Sequence, residues 1–267
     1  MLKRCPYMKR KYFFFDIDGT LTDNSTHKIV PSAKEAVRRL QEEGHFTAIA
    51  TGRAWYKTKK FAKNIGIGNV VCCGGGGLVL KGELLSNEPL DHAAALSIIR
   101  HAEDAGIGYI VMLEDSDDVY MKDYRFLEQA GFRRELTTYH YDPHMDLQNR
   151  NILKIYLAYR AEAEPEWVNE LGHLRLHKEY VVFQYDAKKE GILRMMKAVN
   201  GDLSDVVVFG DDTNDLVMFD PVWTSIAMGN AVDALKEKAD YVTDRNVDHG
   251  IWNACVRNGW ISSAELR

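Results

Sequence analysis

Two aspartates, Asp16 and Asp18, stand one residue apart, directly after the aromatic run Phe13-Phe14-Phe15 and before Gly19-Thr20-Leu21-Thr22. Alternate residues of a strand share a face, and where the strand breaks at Gly19 both carboxylates can converge on one point. Two acids at a strand end repel each other and lose solvation unless a cation neutralises them. The pair therefore predicts a hard metal, Mg2+, which prefers oxygen ligands and keeps room for phosphate oxygens. A second acid-rich string runs from the apolar residues Val206 to Phe209 through Gly210 into a loop carrying Asp211, Asp212, Asn214 and Asp215. Such a loop holds more acid than an ordinary polar turn. Thr51-Gly52-Arg53 closes another apolar run. A hydroxyl and adjacent N–H groups at a strand-to-helix junction suit phosphate oxygens.

These segments need a frame that brings them together. A strand is expected at about 12–16, an amphipathic helix over Ala33–Glu43 opened by Ser32 and stopped by Gly44, and a strand over Phe46–Ala50. A further helix and a short strand at Val70–Cys73 follow, and this alternation argues for a parallel sheet flanked by helices. From Gly82 to about Tyr185 the rhythm changes. Helix-like segments (Asp91–Ala105, Tyr124–Ala130, Pro165–Leu174) mix there with β-rich runs (Gly108–Leu113, Leu153–Ala158, Tyr180–Tyr185). A helix over Glu190–Val199 and strands at Val206–Phe209, Ser225–Ala227 and Tyr241–Val242 then close the chain. The expected fold is α/β: a Rossmann-like parallel sheet core over residues 1–81 and 187–267, split by an inserted α+β cap domain at 82–186.

The bulk properties narrow the function classes. The chain has 267 residues, with 46% hydrophobic and 27% charged, so it has ample material for a core. A net charge of −5 without a basic stripe gives no case for nucleic acid. The basic residues Lys3, Arg4, Lys9, Arg10 and Lys11 precede no apolar stretch suited to a signal peptide and read as a solvated extension; no later run suits a membrane span. Cysteines at 5, 72, 73 and 255 form neither a zinc pattern nor a disulfide framework, so buried, reduced thiols in a cytoplasmic protein are expected.

The string from Phe13 to Thr22 resembles the first signature of the haloacid dehalogenase-like phosphohydrolases. Thr51-Gly52-Arg53, the lysines Lys188 and Lys189, and the 206–218 string match the next three in order. Ala227-Met228-Gly229-Asn230-Ala231, Ala239–Thr243 and Asp248-x-Gly250-Ile251 complete a resemblance to the Cof-type, subclass IIB branch from about 11 to 260. The resemblance implies that Asp16 attacks phosphorus, while Asp18 protonates the leaving oxygen and later deprotonates water. It further implies that Mg2+ is held by Asp16, the Asp18 carbonyl and Asp211, with Asp215 in support or acting through water. Thr51, Gly52 and Asn214 would bind phosphate. A lysine would stabilise phosphate and Asp16: Lys188 by its spacing to Gly191 and Ile192, with Lys189 a credible substitute.

The branch usually has Asn-Gly-Ala after the third strand, whereas Gly75, Gly76 and Gly77 stand here. That change removes an amide and is expected to loosen the hinge to the cap. A cap of this branch closes over the carboxyl edge of the core sheet and touches the leaving group. Arg125, Tyr139, His140 and His144 are candidates for that contact, although exposed loop or core positions are the plainer reading of each. The implied function is Mg2+-dependent hydrolysis of a small phosphorylated metabolite, with sugar phosphates favoured. A phosphomutase or phosphotransferase with the same intermediate, and a non-catalytic ligand-binding protein, are the alternatives. The sequence carries no indication of oligomeric state.

Overall fold

The computed structural model describes residues 9–160 and 165–262, so Lys3, Arg4 and Cys5 lie outside the described residues. In chain order the elements begin with β1 (Tyr12–Phe15), α1 (Pro31–Glu42), β2 (Phe46–Ala50), α2 (Trp55–Ile65), β3 (Val70–Cys72), β4 (Gly77–Leu80) and β5 (Glu83–Asn87). Next come α3 (His92–Asp104), β6 (Tyr109–Met112), β7 (Asp118–Met121), α4 (Arg125–Ala130), β8 (Thr138–Tyr141), β9 (Lys154–Leu157), β10 (His173–His177) and β11 (Tyr180–Gln184). The chain closes with α5 (Lys188–Ala198), β12 (Val206–Gly210), β13 (Thr224–Ala227), α6 (Asp233–Lys238), β14 (Tyr241–Val242) and α7 (Gly250–Arg257). Two compact units result: residues 1–53, 57–85 and 187–267 form one, and 54–56 with 86–186 the other.

The first unit holds an eight-stranded sheet in the order β14-β13-β12-β1-β2-β3-β4-β5. From β14 to β3 every pairing is parallel, and β4 then joins antiparallel. In the middle, β1 lies between β12 and β2, with Phe15 opposite Phe209 and Ile49. A strand with neighbours on both edges and helices on both faces has no wet side, which is why β1 is aromatic throughout rather than alternating. Phe13, Phe14 and Phe15 are fully buried. Phe15 stacks on Phe209 at 5.1 Å, and Phe13 meets the edge of Trp260 at 5.0 Å. On α1, Ala33, Ala36, Val37 and Leu40 form the buried stripe, and Gly44 ends the turn at φ 88°.

His45 ties the two chain ends of this unit together. Its Nδ1 accepts the Lys11 N–H at 3.0 Å, so Nε2 carries the proton and donates to the Trp260 carbonyl at 3.2 Å. Burial pushes its pKa below the ordinary value, chiefly because the charged ring would be desolvated. The unfolded chain therefore takes up the proton first. This contribution to stability is full above the unfolded value of about 6.5 and declines as pH falls through it. The urea midpoint should drop between pH 7 and 5 by more in wild type than in His45→Gln; equal pH slopes would remove the effect.

The second unit is a six-stranded sheet, β10-β11-β9-β6-β7-β8, mostly antiparallel with β7 and β8 parallel. One face packs on α3 through Ile98, Ile99, Val111, Ile155, Val181 and Phe183. The other buries Ile110, Met112, Phe126, Tyr156 and Tyr180.

Several sequence expectations need correction. Pro165–Leu174 is not a helix: a short 3-10 turn covers Glu166–Glu170, Gly172 breaks it, and His173 already pairs with β11. The turn has too few residues to repay helix nucleation, whereas a partner strand is waiting. Strands β4, β5, β7 and β8 escaped notice because they are edge or near-edge segments with weak alternation. Lys9 and Lys11 are not merely solvated, since both pair with Asp205, at 2.6 and 2.9 Å. Helix α5 begins at Lys188, ahead of the expected Glu190. Cys72, Cys73 and Cys255 are buried as expected. Among the described residues no helix is long and apolar enough to cross a membrane.

Candidate active site

Parallel pairing of β1 with β12 puts Asp16 and Asp211, the residues just past each strand, at one sheet edge. The turn after Asp16 is held by its glycine. Gly19 has φ 84°, and a Cβ there would lie 1.9 Å from Asp211 Oδ2, so no side chain fits between the two loops. Thr20 Oγ1 donates to Asp211 Oδ1 at 2.9 Å and fixes that carboxylate. Ligand oxygens of Asp16, Asp211 and Asp215 all lie within 4.8 Å of one another, and all three residues are buried.

Lys188 enters the cluster from the first turn of α5. It is 1% exposed, and its Nζ donates to Asp16 Oδ1 at 2.8 Å and to Asp215 Oδ1 at 2.6 Å. Gly191, one turn on, lets α5 approach: a Cβ there would meet Val71 at 2.3 Å and Gly75 at 2.9 Å. Burial opposes the ammonium charge, but the combined pull of Asp16 and Asp215 outweighs it and holds the amine above its ordinary range. The second oxygen of Asp215 accepts the N–H groups of Asp211 at 2.9 Å and Asp212 at 3.2 Å, so this side chain fastens both the lysine and the loop.

One ammonium does not neutralise three buried carboxylates. Burial pushes the Asp16 carboxyl up to about 7 against the lowering pull of Lys188, with Asp215 and Asp18 adding repulsion. Burial and the charge of Asp16 push Asp211 up to about 8. Hard oxygen donors carrying uncompensated negative charge in a small space fit a divalent cation such as Mg2+.

The other expected residues are placed as follows. The Asp18 side chain is half exposed and lies outside the three-carboxylate cluster, bound by the Arg53 guanidinium through Nε at 3.0 Å and through Nη2. Thr51 is buried, and its hydroxyl accepts the Arg53 N–H at 3.2 Å. Gly52 is half-buried beside it, and Asn214 is exposed on the turn after Asp211. Lys189 faces away and pairs with Asp220 at 2.6 Å, so of the two lysines Lys188 is the one in the cluster.

The glycine run is packed against the start of α5. Gly75 sits at φ 105°, where a Cβ would lie 2.1 Å from the Ala187 carbonyl. Arg194 donates to the carbonyls of Gly75 and, at 2.9 Å, Gly76. Close approach to the start of α5 is what requires glycine there.

Three residues of this region were not singled out from sequence. Arg53 stood inside a quoted motif, but its pairing with Asp18 has no local signal. Asn230 Nδ2 donates to the Gly19 carbonyl at 2.9 Å. Asn246 bonds both Asn230 Oδ1, at 2.9 Å, and the Thr22 carbonyl, at 2.7 Å. These amides clasp the Asp16–Thr22 turn from distant segments. In the second unit Arg125 pairs with Asp123 and His140 with Asp118, the Tyr139 hydroxyl accepts the Arg133 N–H, and His144 is exposed.

Comparison with known proteins agrees with this geometry. Residues 13–255 match the family model described as haloacid dehalogenase-like hydrolase. The chain belongs to that family. YkrA of Bacillus subtilis (strain 168), which carries a provisional phosphatase name, is 31% identical over 249 residues, covering 91% of this chain and 96% of its own. A crystal structure of a hypothetical protein from Geobacillus kaustophilus HTA426 superposes with a TM-score of 0.80 at 31% identity, over 95% of this chain and all of that one. The sugar phosphatase BT4131, of haloacid dehalogenase subclass IIB, shares the fold at TM-score 0.72 and 23% identity, over 94% of this chain and 100% of its own. A parallel-sheet core with an inserted α+β cap is thus the fold of this haloacid dehalogenase-like hydrolase.

Proposed function

We propose that this hydrolase is a Mg2+-dependent phosphatase of small phosphomonoesters, sugar phosphates first among them, working through an aspartyl-phosphate on Asp16. The observation that carries the reading is the buried cluster of Asp16, Asp211, Asp215 and Lys188 at the carboxyl edge of β1 and β12. Lys188 holds Asp16 Oδ1 and would steady this carboxylate for attack on phosphorus. Asp16 bonds to phosphorus as the ester P–O bond breaks, and Asp18 gives its proton to the departing oxygen. Water then attacks the same phosphorus, Asp18 takes the water's proton, and phosphate leaves Asp16 as a free carboxylate. Asp16, the Asp18 carbonyl and Asp211 would hold Mg2+, which would supply charge neutralisation between the anionic nucleophile and the phosphate. Asp215 acts through Lys188 and the loop N–H groups. Thr51, Gly52 and Asn214 receive phosphate oxygens, and residues 86–186 belong to the inserted cap.

Phosphate release from p-nitrophenyl phosphate and a panel of sugar, polyol, nucleotide and cofactor phosphates tests the reading, with EDTA expected to abolish it. A binding readout tests the metal apart from turnover. The carboxyls of Asp16 and Asp211 titrate near 7 and 8, so the metal must displace protons below those values. The rise in Tm on adding Mg2+ should therefore grow from pH 6 to 8.5; a rise independent of pH would place the metal elsewhere.

A further inference from the structure

The amino edge of the core sheet, opposite the edge that holds the aspartates, carries a cavity of about 460 Å³. That volume lies within the roughly 300–1,000 Å³ of ordinary small-molecule sites. Phe46, the first residue of β2, and Asn69, just ahead of β3, line it from the sheet, while Ala198 and Val199 line it from the end of α5. Lys188 opens the same helix, so about 15 Å of α5 separates the cavity from the Asp16 cluster. The chain as a whole is acidic, at −5, yet no acid lines this cavity and two cations do, Arg10 and Lys81. Lys9 and Lys11 pair with Asp205, whereas Arg10 between them lies over the rings of Tyr12 at 5.3 Å and Phe46 at 5.8 Å. That stacking takes a face of the guanidinium and leaves its N–H edges free. Neither Arg10 nor the Lys81 ammonium makes an ion pair or a hydrogen bond among the described residues. Thr47, also on the cavity wall, is 3% exposed; its hydroxyl accepts the Gln41 Nε2–H at 2.8 Å and donates to no described residue.

Water alone can satisfy two exposed cations, so the backbone at Lys81 carries the further weight. Lys81 and Gly82 form the two-residue turn between β4 and β5, with φ 52° and 87°. A turn with positive φ at both places favours asparagine or glycine at the first, because a longer side chain is strained there. The turn is pinned in this form: Asn69 Oδ1 accepts the Lys81 N–H at 3.1 Å, and the Gly68 carbonyl accepts the Gly82 N–H at 2.7 Å. A lysine held in a costly conformation at a cavity without acids fits a binding role. A guanidinium edge takes two phosphoryl oxygens, and an ammonium adds a point charge beside them.

We infer that this cavity is a second ligand site, binding a small organic phosphate or phosphonate dianion through Arg10 and Lys81. The Thr47 hydroxyl supplies a further donor, and Phe46, Leu80 and Val199 receive the apolar body of the ligand. The site shares no residue with the proposed chemistry.

Calorimetric titration of the full-length protein with phenylphosphonate tests it. The carbon–phosphorus bond is not an ester, and EDTA keeps a metal from drawing the probe to the Asp16 cluster. Wild type should bind phenylphosphonate at least about 10-fold tighter than inorganic phosphate, which leaves Phe46 and Leu80 uncovered. Arg10→Gln should weaken the probe by about 10-fold or more, the worth of a charged hydrogen bond, and Arg10→Lys by less, since it keeps charge without the fork. Lys81→Asn should lose most of the rise in Tm on adding phenylphosphonate while raising the Tm without it, because asparagine takes the turn at lower cost. A lysine with a structural role alone would not give that pair of effects. Both positions are exposed, so the variants keep the fold. No binding to wild type, or wild-type affinity in Arg10→Gln or Lys81→Asn, overturns the inference, and equal affinity for inorganic phosphate overturns the organic class of ligand. Neither measurement uses turnover, so the phosphatase reading stands or falls separately.

Discussion

Asp16→Asn is expected to abolish turnover, lowering kcat for phosphate release by on the order of 10⁴- to 10⁶-fold, the scale seen when a catalytic nucleophile is removed. An amide is not nucleophilic toward phosphorus and brings no negative charge to the metal. The same substitution should raise the metal-free Tm at pH 8. Burial is the largest influence on this carboxyl and pushes it up to about 7, so at pH 8 the folded protein carries an ionised group that it would be more stable without. Activity lost together with stability gained separates a functional acid from a structural one. Wild-type turnover in Asp16→Asn would end the assignment of Asp16 as nucleophile.

Lys188→Ala is the second large effect, and its control is the adjacent residue. Removing the ammonium that bonds both Asp16 and Asp215 leaves buried carboxylates uncompensated. Breaking one partner of a buried charged pair costs about 3–5 kcal/mol. Urea unfolding at pH 8 should show a loss of that size without metal and a smaller one with Mg2+, because the divalent cation neutralises part of the same charge. Phosphate release should fall as well. Lys189 is bonded to Asp220 at the surface, so Lys189→Ala should leave activity as it was. Equal losses in the two variants would contradict the placement of Lys188.

The parts legible from sequence are those with a local cause. Phe13, Phe14 and Phe15 need a strand buried on both faces, and Gly19 needs a positive φ, so the turn that presents Asp16 is written in adjacent residues. Helix α1 and strands β2, β3, β12, β13 and β14 follow from periodicity and bounding glycines. Strands β4, β5, β7 and β8 do not, since an edge strand owes its existence to a neighbour elsewhere in the chain. His173–His177 is similar: pairing with β11 overrides whatever its residues prefer alone.

The acidic pairs, their hard-metal preference and the order of the motifs were determined by residue types and spacing, because those depend on chemistry carried by single side chains. The spacing to Gly191 and Ile192 favoured Lys188, and tertiary structure decided between the two lysines, since the first turn of α5 brings Lys188 to the acids and Lys189 to Asp220. It likewise decided that Arg53 holds Asp18, that Asn230 and Asn246 clasp the Asp16 turn, and that Gly75 is there to let α5 approach. Each of those contacts joins segments far apart in the chain, and their meeting is set by the strand order of the sheet rather than by any nearby residue.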